Sequence, residues 1–427
     1  VEKKIALDQI GKLRRYNLWV ILIIGLSEGT WIWANQRTWF FGDDFAFLTY
    51  RYFSALNGDW SKALMYPHNE HWVAVPSLLF ITIERVVGLK NHLVFMAPVL
   101  IAHFVIVLSV GQILRRRCKS ELTALCGIAT IGFISPGAEN LLWAFQIGFV
   151  GAIALGFIQL KLLDRGGQIS FRDYAASLIG VVAVATQGTG LTAIAFVTLF
   201  MLVRKQFLRA LLVSGVPVIA FLLWYTSYGD LIQSKRATFE LMLDIPIYVL
   251  NGLSTSLDAL IHIPGSTTII LGFCIFGLEK LKRFSEEYYL PLSLAVGAVV
   301  FYVLNGLSRI QFGVEQATAS RYTYVGVVLI TPIVFMLIES ATINFAIHRL
   351  IMSITLFWIV LSGITGILKA SYTFPQADQT RIQTILEFRD AVESGVVLNG
   401  GVPSPIFDPD LTFESITKLI QTDKFDR

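Results

Sequence analysis

Long apolar runs, each ended by a polar cluster, constrain this chain more than any other feature. The runs fall near 18–37, 92–114, 120–136, 139–163, 171–187, 190–204, 208–228, 266–283, 289–307, 322–340 and 346–368. Runs of roughly 17–25 residues suit helices that cross a hydrocarbon core of ~30 Å. A barrel would instead show alternating segments of about ten residues. With 55% hydrophobic and 15% charged residues, the chain has too little polar surface for a soluble domain. The expected fold class is therefore an all-α polytopic membrane protein with about eleven transmembrane helices.

Lys and Arg collect in short cytoplasmic loops, and that bias orients the spans. If 74–90 lies at the outer interface rather than crossing, Arg115–Lys119 falls inside with the other basic loops. That arrangement places nineteen basic residues inside and nine outside. Glu84, Arg85 and Lys90 suit a surface helix. The same argument makes 246–262, with Asn251, Asp258 and His262, interfacial or re-entrant. The expectation is N-terminus inside, C-terminus outside, with juxtamembrane helices on the extracytoplasmic side. Lys3, Lys4, Lys12, Arg14 and Arg15 resemble a signal n-region, but the apolar run that follows is long and lacks a small-residue cleavage pattern. It reads as a retained first helix. Residues 1–370 form one membrane domain with a first outer loop at 38–91. The polar stretch 371–427 reads as a small extracytoplasmic appendage with short helices near 377–392 and 411–421. Cys118, Cys126 and Cys274 lie in or beside predicted helices and suggest no disulfide or metal framework. The net charge of +4 carries no nucleic-acid signal.

The polar clusters gather on the outer side. Asp43 and Asp44 follow the first span, where a carboxylate can act as general base if partly buried; a helix-end anchor is the plainer reading. His68-Asn69-Glu70-His71 lacks the spacing of a His-Glu-x-x-His metal site and suits a phosphate or sugar hydroxyls, or is simply a solvated loop. Glu139, Asn140, Trp143 and Gln146 stand at i, i+1, i+4 and i+7. On a continuous helix that spacing puts Glu139, Trp143 and Gln146 on one face. There a Trp ring could stack on a sugar, or belong to the interfacial aromatic belt. Arg321, with Ser320 and Tyr322, opens a span with a donor fork that matches phosphate oxygens, unless it merely snorkels. Gln187-Gly188-Thr189-Gly190 forms a tight outer turn. Deeper in the membrane, Glu28 and His103 reach matching depths. Ionisable groups there are costly and usually paired, so the two are expected to meet, for structure or for function.

The order of these clusters resembles the GT-C superfamily of membrane glycosyltransferases. The resemblance spans about 1–370 and rests on Asp43-Asp44, on His68-Asn69-Glu70-His71-Trp72 with Pro76, on Glu139…Trp143-x-x-Gln146, and on Ser320-Arg321-Tyr322. It is similar to branches that decorate bacterial surface polysaccharides. One departure is Trp72, where Asn-Glu-His-Arg would be expected. The resemblance implies a plasma-membrane enzyme with its site facing outside or the periplasm. It implies inverting transfer of a sugar from a polyprenyl-phosphate donor to a glycan or lipid-linked glycan acceptor. Asp43 or Asp44 would be the base, with Asp44 slightly preferred. Arg321, His71, Arg51 or Lys62 would hold the donor phosphate. His68, Asn69, Glu70, Glu139, Asn140, Trp143, Gln146, Gln187 and Tyr322 would contact substrate. No cofactor is obligatory; a divalent metal is compatible but not indicated. The competing expectations are a transporter or flippase for a lipid-linked sugar or other solute, with Glu28 and His103 as its coupling pair, and a scaffold that anchors the appendage.

Overall fold

The computed structural model describes residues 2–89, 91–232, 238–280, 285–341, 344–373 and 418–419. Nearly all of the expected 371–427 appendage, with both its short helices, lies outside the described residues. So do Lys90, Lys235, Arg236, Lys282 and Arg283.

Among the described residues the chain is all-helical, with no strand beyond an isolated bridge. Thirteen helices have twelve or more residues: α1 (Glu2–Asn35), α2 (Ala74–Val87), α3 (His92–Arg117), α4 (Glu121–Gly132), α5 (Ile147–Leu163), α6 (Phe171–Val184), α7 (Thr189–Val203), α8 (Phe207–Tyr228), α9 (Ile245–Ala259), α10 (Thr267–Lys280), α11 (Tyr289–Arg309), α12 (Ser320–Ala341) and α13 (Phe345–Thr373). Every expected span falls on one of them, and 74–90 and 246–262 become α2 and α9. Seven stretches are long and apolar enough to cross a membrane: Arg14–Asn35, His92–Arg117, Ala144–Leu163, Phe207–Leu231, Glu286–Phe312, Ser320–Ala341 and Phe345–Thr373. The chain thus has the make-up of a multi-pass helical membrane protein. The other four expected spans, α4, α6, α7 and α10, have 12–15 residues. At 1.5 Å per residue they reach only about 18–22 Å.

The chain divides into two compact units, each assembled from separate stretches. The first comprises Val1–Trp31, His103–Ala138 and Ala237–Ile367; the second comprises Ile32–Ala102, Glu139–Arg236 and Leu368–Arg427.

In the first unit α12 is buried along almost its whole length, with α4, α9, α10 and α11 packed on it. Small residues permit the close approach, as is usual where helices pack without a hydrophobic driving force. A Cβ at Gly277 of α10 would strike the Leu337 carbonyl of α12, and one at Gly252 of α9 would strike the Tyr302 ring of α11. Tyr302 Oη meets Ser256 Oγ at 2.8 Å and donates to the Tyr322 carbonyl at 3.2 Å. Tyr248 donates to Asn305 Oδ1 at 2.9 Å. These contacts hold α9 against α11 and α12.

In the second unit α5, α6, α7 and α8 form a bundle. Ser170 and Asp173 make a capping box at the start of α6, which satisfies two otherwise orphaned backbone donors. Arg209 of α8 donates through Nε to Asp173 Oδ1 at 2.6 Å in a nearly water-free pair. A tight turn joins α6 to α7. A Cβ at Gly190 would meet the Ala183 carbonyl, so only glycine fits there. The segment expected as the first outer loop is structured: Asp44–Ala46 runs into a π-helical turn Phe47–Arg51, then Tyr52–Leu56 and Trp60–Leu64. π-Turns are rare and frequently mark functional sites.

Candidate functional site

Thirteen of the fifteen expected site residues belong to the second unit; Arg321 and Tyr322 belong to the first. Within the second unit, contacts link the Asp43–Asp44 turn, the 68–71 hairpin, the 143–146 segment and the α6–α7 turn.

The turn begins at Gly42, whose φ of 49° suits glycine. A Cβ there would also lie 3.3 Å from Trp143 Cζ2. Asp44 is completely buried. Its Oδ1 accepts from the Phe145 N–H at 2.8 Å and its Oδ2 from the Phe41 N–H at 3.0 Å. Both oxygens therefore hold backbone. Asp43 is 27% exposed, with Oδ2 3.6 Å from His68 Nε2. The expected preference for Asp44 as base thus meets a side chain engaged in a structural task. Asp43 carries the accessible carboxylate.

His68 and His71 pair antiparallel, each N–H donating to the other's carbonyl at 3.0 Å. Asn69 takes the turn with φ 52°, a conformation Asn tolerates better than most residues. The His68 ring packs near Phe145 and Phe47, with centroids 5.1 and 5.4 Å away. His71 Nε2 lies 3.5 Å from Glu70 Oε1, and its Nδ1 would be 2.8 Å from a Cβ at Gly188. The hairpin therefore rests on the α6–α7 turn. Trp72 stacks on Trp224 of α8 at 5.8 Å and 7°. Trp224 Nε1 donates to the Met65 carbonyl at 2.7 Å. In this chain an aromatic stack ties the loop to α8.

The helix expected through Glu139–Gln146 is broken. Glu139–Leu142 is a short helix, Trp143 is extended (φ −130°, ψ 119°), and Ala144–Gln146 forms a 3₁₀ turn before α5. Glu139, Trp143 and Gln146 consequently do not share a continuous helix face. Trp143 is buried and donates to the Phe41 carbonyl at 2.9 Å. Its ring meets Phe41 and Phe145 edge-on or tilted. It is a wedge inside the protein, not an open platform for a sugar. The break frees the Phe145 N–H that Asp44 receives, and a sequence spacing argument that assumes unbroken helix has no access to it.

Two expected phosphate ligands have other work. Arg51 is buried and donates to the carbonyls of Ala63 (2.9 Å) and Tyr66 (3.0 Å), with its guanidinium 5.3 Å from the Phe47 ring. Burial draws its pKa down to about 10, which leaves it charged at neutral pH. Lys62 Nζ sits 4.8 Å from the centroid of Tyr50; burial raises that phenol's pKa, against the lowering effect of Lys62. Gln146, Gln187 and Asn140 are buried. Gln187 Oε1 lies where a Cβ at Gly148 would be 2.8 Å away, which brings it to the start of α5, two residues beyond Gln146.

In the first unit, Tyr322 is buried beside Phe301, a core position rather than a substrate contact. The Arg321 guanidinium lies 5.0 Å from the Tyr322 ring. Glu28 Oε1 and His103 Nε2 stand 4.0 Å apart, as the depth match anticipates. Tyr324 completes the group: its hydroxyl is 2.9 Å from His103 Nδ1. Among the described residues no three His, Cys, Asp or Glu side chains gather as metal ligands.

No protein-family model matches this chain, and no curated protein matches it.

Proposed function

We propose that this protein is an inverting membrane glycosyltransferase of GT-C type. It moves a sugar from a polyprenyl-phosphate donor to a glycan or lipid-linked glycan hydroxyl on the extracytoplasmic side. In this reading α4, α6, α7 and α10 also traverse the membrane, giving eleven spans, and α2 and α9 are the juxtamembrane helices. The observation that carries the reading is the pair of neighbouring acids with divided roles. Asp44 fixes the turn through two backbone N–H groups, and that turn presents the Asp43 carboxylate, partly buried, beside His68.

The acceptor oxygen attacks the anomeric carbon while its proton passes to Asp43. The bond from that carbon to the phosphate oxygen breaks, and its electron pair leaves with the phosphate. Charge then collects on the phosphate oxygens, where a cationic hydrogen-bond donor would stabilise it. The test is turnover of a defined polyprenyl-phosphate sugar by purified protein. Asp43→Asn should lower it by about 10²–10⁴-fold, the usual weight of a general base. Near-normal turnover in that variant sinks the assignment.

A transporter reading draws on the Glu28–His103–Tyr324 group, since buried ionisable side chains within spans often mark ion pathways. It requires Glu28→Gln to abolish solute flux in vesicles. Intact transfer in that variant favours the enzyme.

A further inference from the structure

The end of the α5–α8 bundle remote from the Asp43 turn carries charge that the Asp43 site does not use. α5 runs away from the 143–146 segment, and α6 returns to the turn on which His71 rests. The loops 164–170, between α5 and α6, and 204–206, between α7 and α8, therefore lie together at the far end. Hydrogen bonds lock them to one another. Arg209 of α8 holds Asp173 through Nε, and its Nη1 donates to the Arg165 carbonyl at 2.9 Å and to Gln206 Oε1 at 2.7 Å. Arg204 Nη1 reaches the Asp164 carbonyl at 3.5 Å.

Apart from the buried Arg209–Asp173 pair, this end holds five cations, Lys161, Arg165, Arg172, Arg204 and Lys205, against one carboxylate, Asp164. All but Arg204 are exposed. Lys205 is left-handed, with φ 60°. Its N–H donates to the Leu202 carbonyl at 2.8 Å, and the Gln206 N–H to the Met201 carbonyl at 2.9 Å. Glycine usually fills the left-handed position of this helix-ending motif. A lysine there is strained, and stopping the helix does not call for its charge. Beside the cations the surface is apolar. Phe171, the first residue of α6, is 84% exposed, and Phe207, the first of α8, is 63% exposed. Tyr174 and Leu178 of α6 and Leu208 and Leu211 of α8 are exposed as well. They lie within a turn or so of the Ser177 Oγ bond to the Leu212 carbonyl (3.1 Å), which joins the two helices.

Cations beside an exposed apolar stripe match a molecule that is anionic at one end and hydrocarbon beyond it. Phosphate oxygens accept from guanidinium and ammonium groups, and acyl chains cover the stripe. Free phosphate would meet the cations alone and leave the stripe bare. We propose that this end of the bundle binds an anionic phospholipid, its phosphate held by Arg165, Arg172 and Lys205 and its acyl chains laid along α6 and α8. The site is independent of sugar transfer.

Full-length protein, stripped of lipid in a neutral detergent, is titrated with phosphatidylglycerol, with phosphatidylcholine of the same chains and with inorganic phosphate. Bound lipid is counted by native mass spectrometry, and thermal unfolding is followed in parallel. Phosphatidylglycerol should bind at least about tenfold more tightly than phosphatidylcholine, raise the unfolding temperature and lose its advantage as salt is added. Arg165→Gln/Arg172→Gln/Lys205→Gln should abolish the preference. Arg14→Gln/Arg15→Gln/Arg349→Gln removes the same charge from exposed positions of the other unit and should keep it. Lys205→Gly separates ligand from fold. It relieves the left-handed strain, so without lipid it should unfold no earlier than the parent, yet bind phosphatidylglycerol roughly fivefold more weakly. Equal binding of the two lipids, loss of the preference in the Arg14/Arg15/Arg349 variant, or parent-like affinity in either Lys205 variant overturns the proposal. A stabilisation reproduced by inorganic phosphate alone also overturns it and leaves an anion site without a lipid.

Discussion

Asp43 and Asp44 are neighbours in the chain with opposite surroundings. One carboxylate is partly open beside His68; the other is sealed against two backbone N–H groups. Their asparagine variants should therefore fail differently. Asp43→Asn keeps the turn, so its unfolding temperature in detergent should match the parent. Asp44→Asn replaces one acceptor oxygen with an amine that cannot accept from Phe41 or Phe145. An abandoned buried donor costs about 1–3 kcal/mol, so Asp44→Asn should unfold earlier. Equal melting of the two variants would remove the distinction. His262, in the loop after α9, offers a pH test. Burial lowers its pKa from 6.5 to about 4, while Nδ1 meets Ser362 Oγ at 3.0 Å. A base with a depressed folded pKa contributes stability that is fully present above 6.5 and is lost as pH falls towards 4. His262→Gln should flatten the stability profile in that window. An unchanged acid slope would mean that another group sets it.

At the scale of elements, the site depends on a hairpin seated on a turn. His71 closes against Gly188, where no Cβ fits without displacing the ring. Gly188 itself has ordinary helical torsions (φ −53°), so the backbone would tolerate alanine. Gly188→Ala should consequently leave α7 helical and push the hairpin away, taking His68 from Asp43. The measurement is turnover beside circular dichroism: activity down by at least about tenfold, a modest stability change typical of overpacking at about 1–3 kcal/mol. Retained activity would show that the hairpin's seat is irrelevant to the reaction. Trp72 binds the loop to the bundle by stacking on Trp224 of α8.

For the whole molecule, the testable statement is orientation. All three native cysteines are buried, so introduced ones should report with little background. Arg116→Cys, at the end of α3, should be labelled from the cytoplasmic side alone. Asn57→Cys, exposed in the first outer loop, should be labelled from outside. Labelling of position 116 from outside would invert the topology and strand the Asp43 turn in the cytoplasm, away from the proposed donor face.

Apolar run length and the placement of charge determined the all-helical, multi-pass character, and every expected span and juxtamembrane segment lies on a helix. Both signals are carried by residues close together in the chain. Matching depth along two spans was also enough to bring Glu28 to His103. The sequence could not disclose the break at Trp143, because an i, i+4, i+7 spacing looks the same whether or not the helix continues. The tertiary structure alone separated Asp43 from Asp44 and gave Arg51 to two carbonyls. It also buried Tyr322 and Trp143 and added Tyr324 to the intramembrane group. For Asp44, Trp143 and Tyr324 the deciding partner lies far along the chain — Phe145, Phe41 and His103 — and a side chain's role follows from the partner that satisfies it.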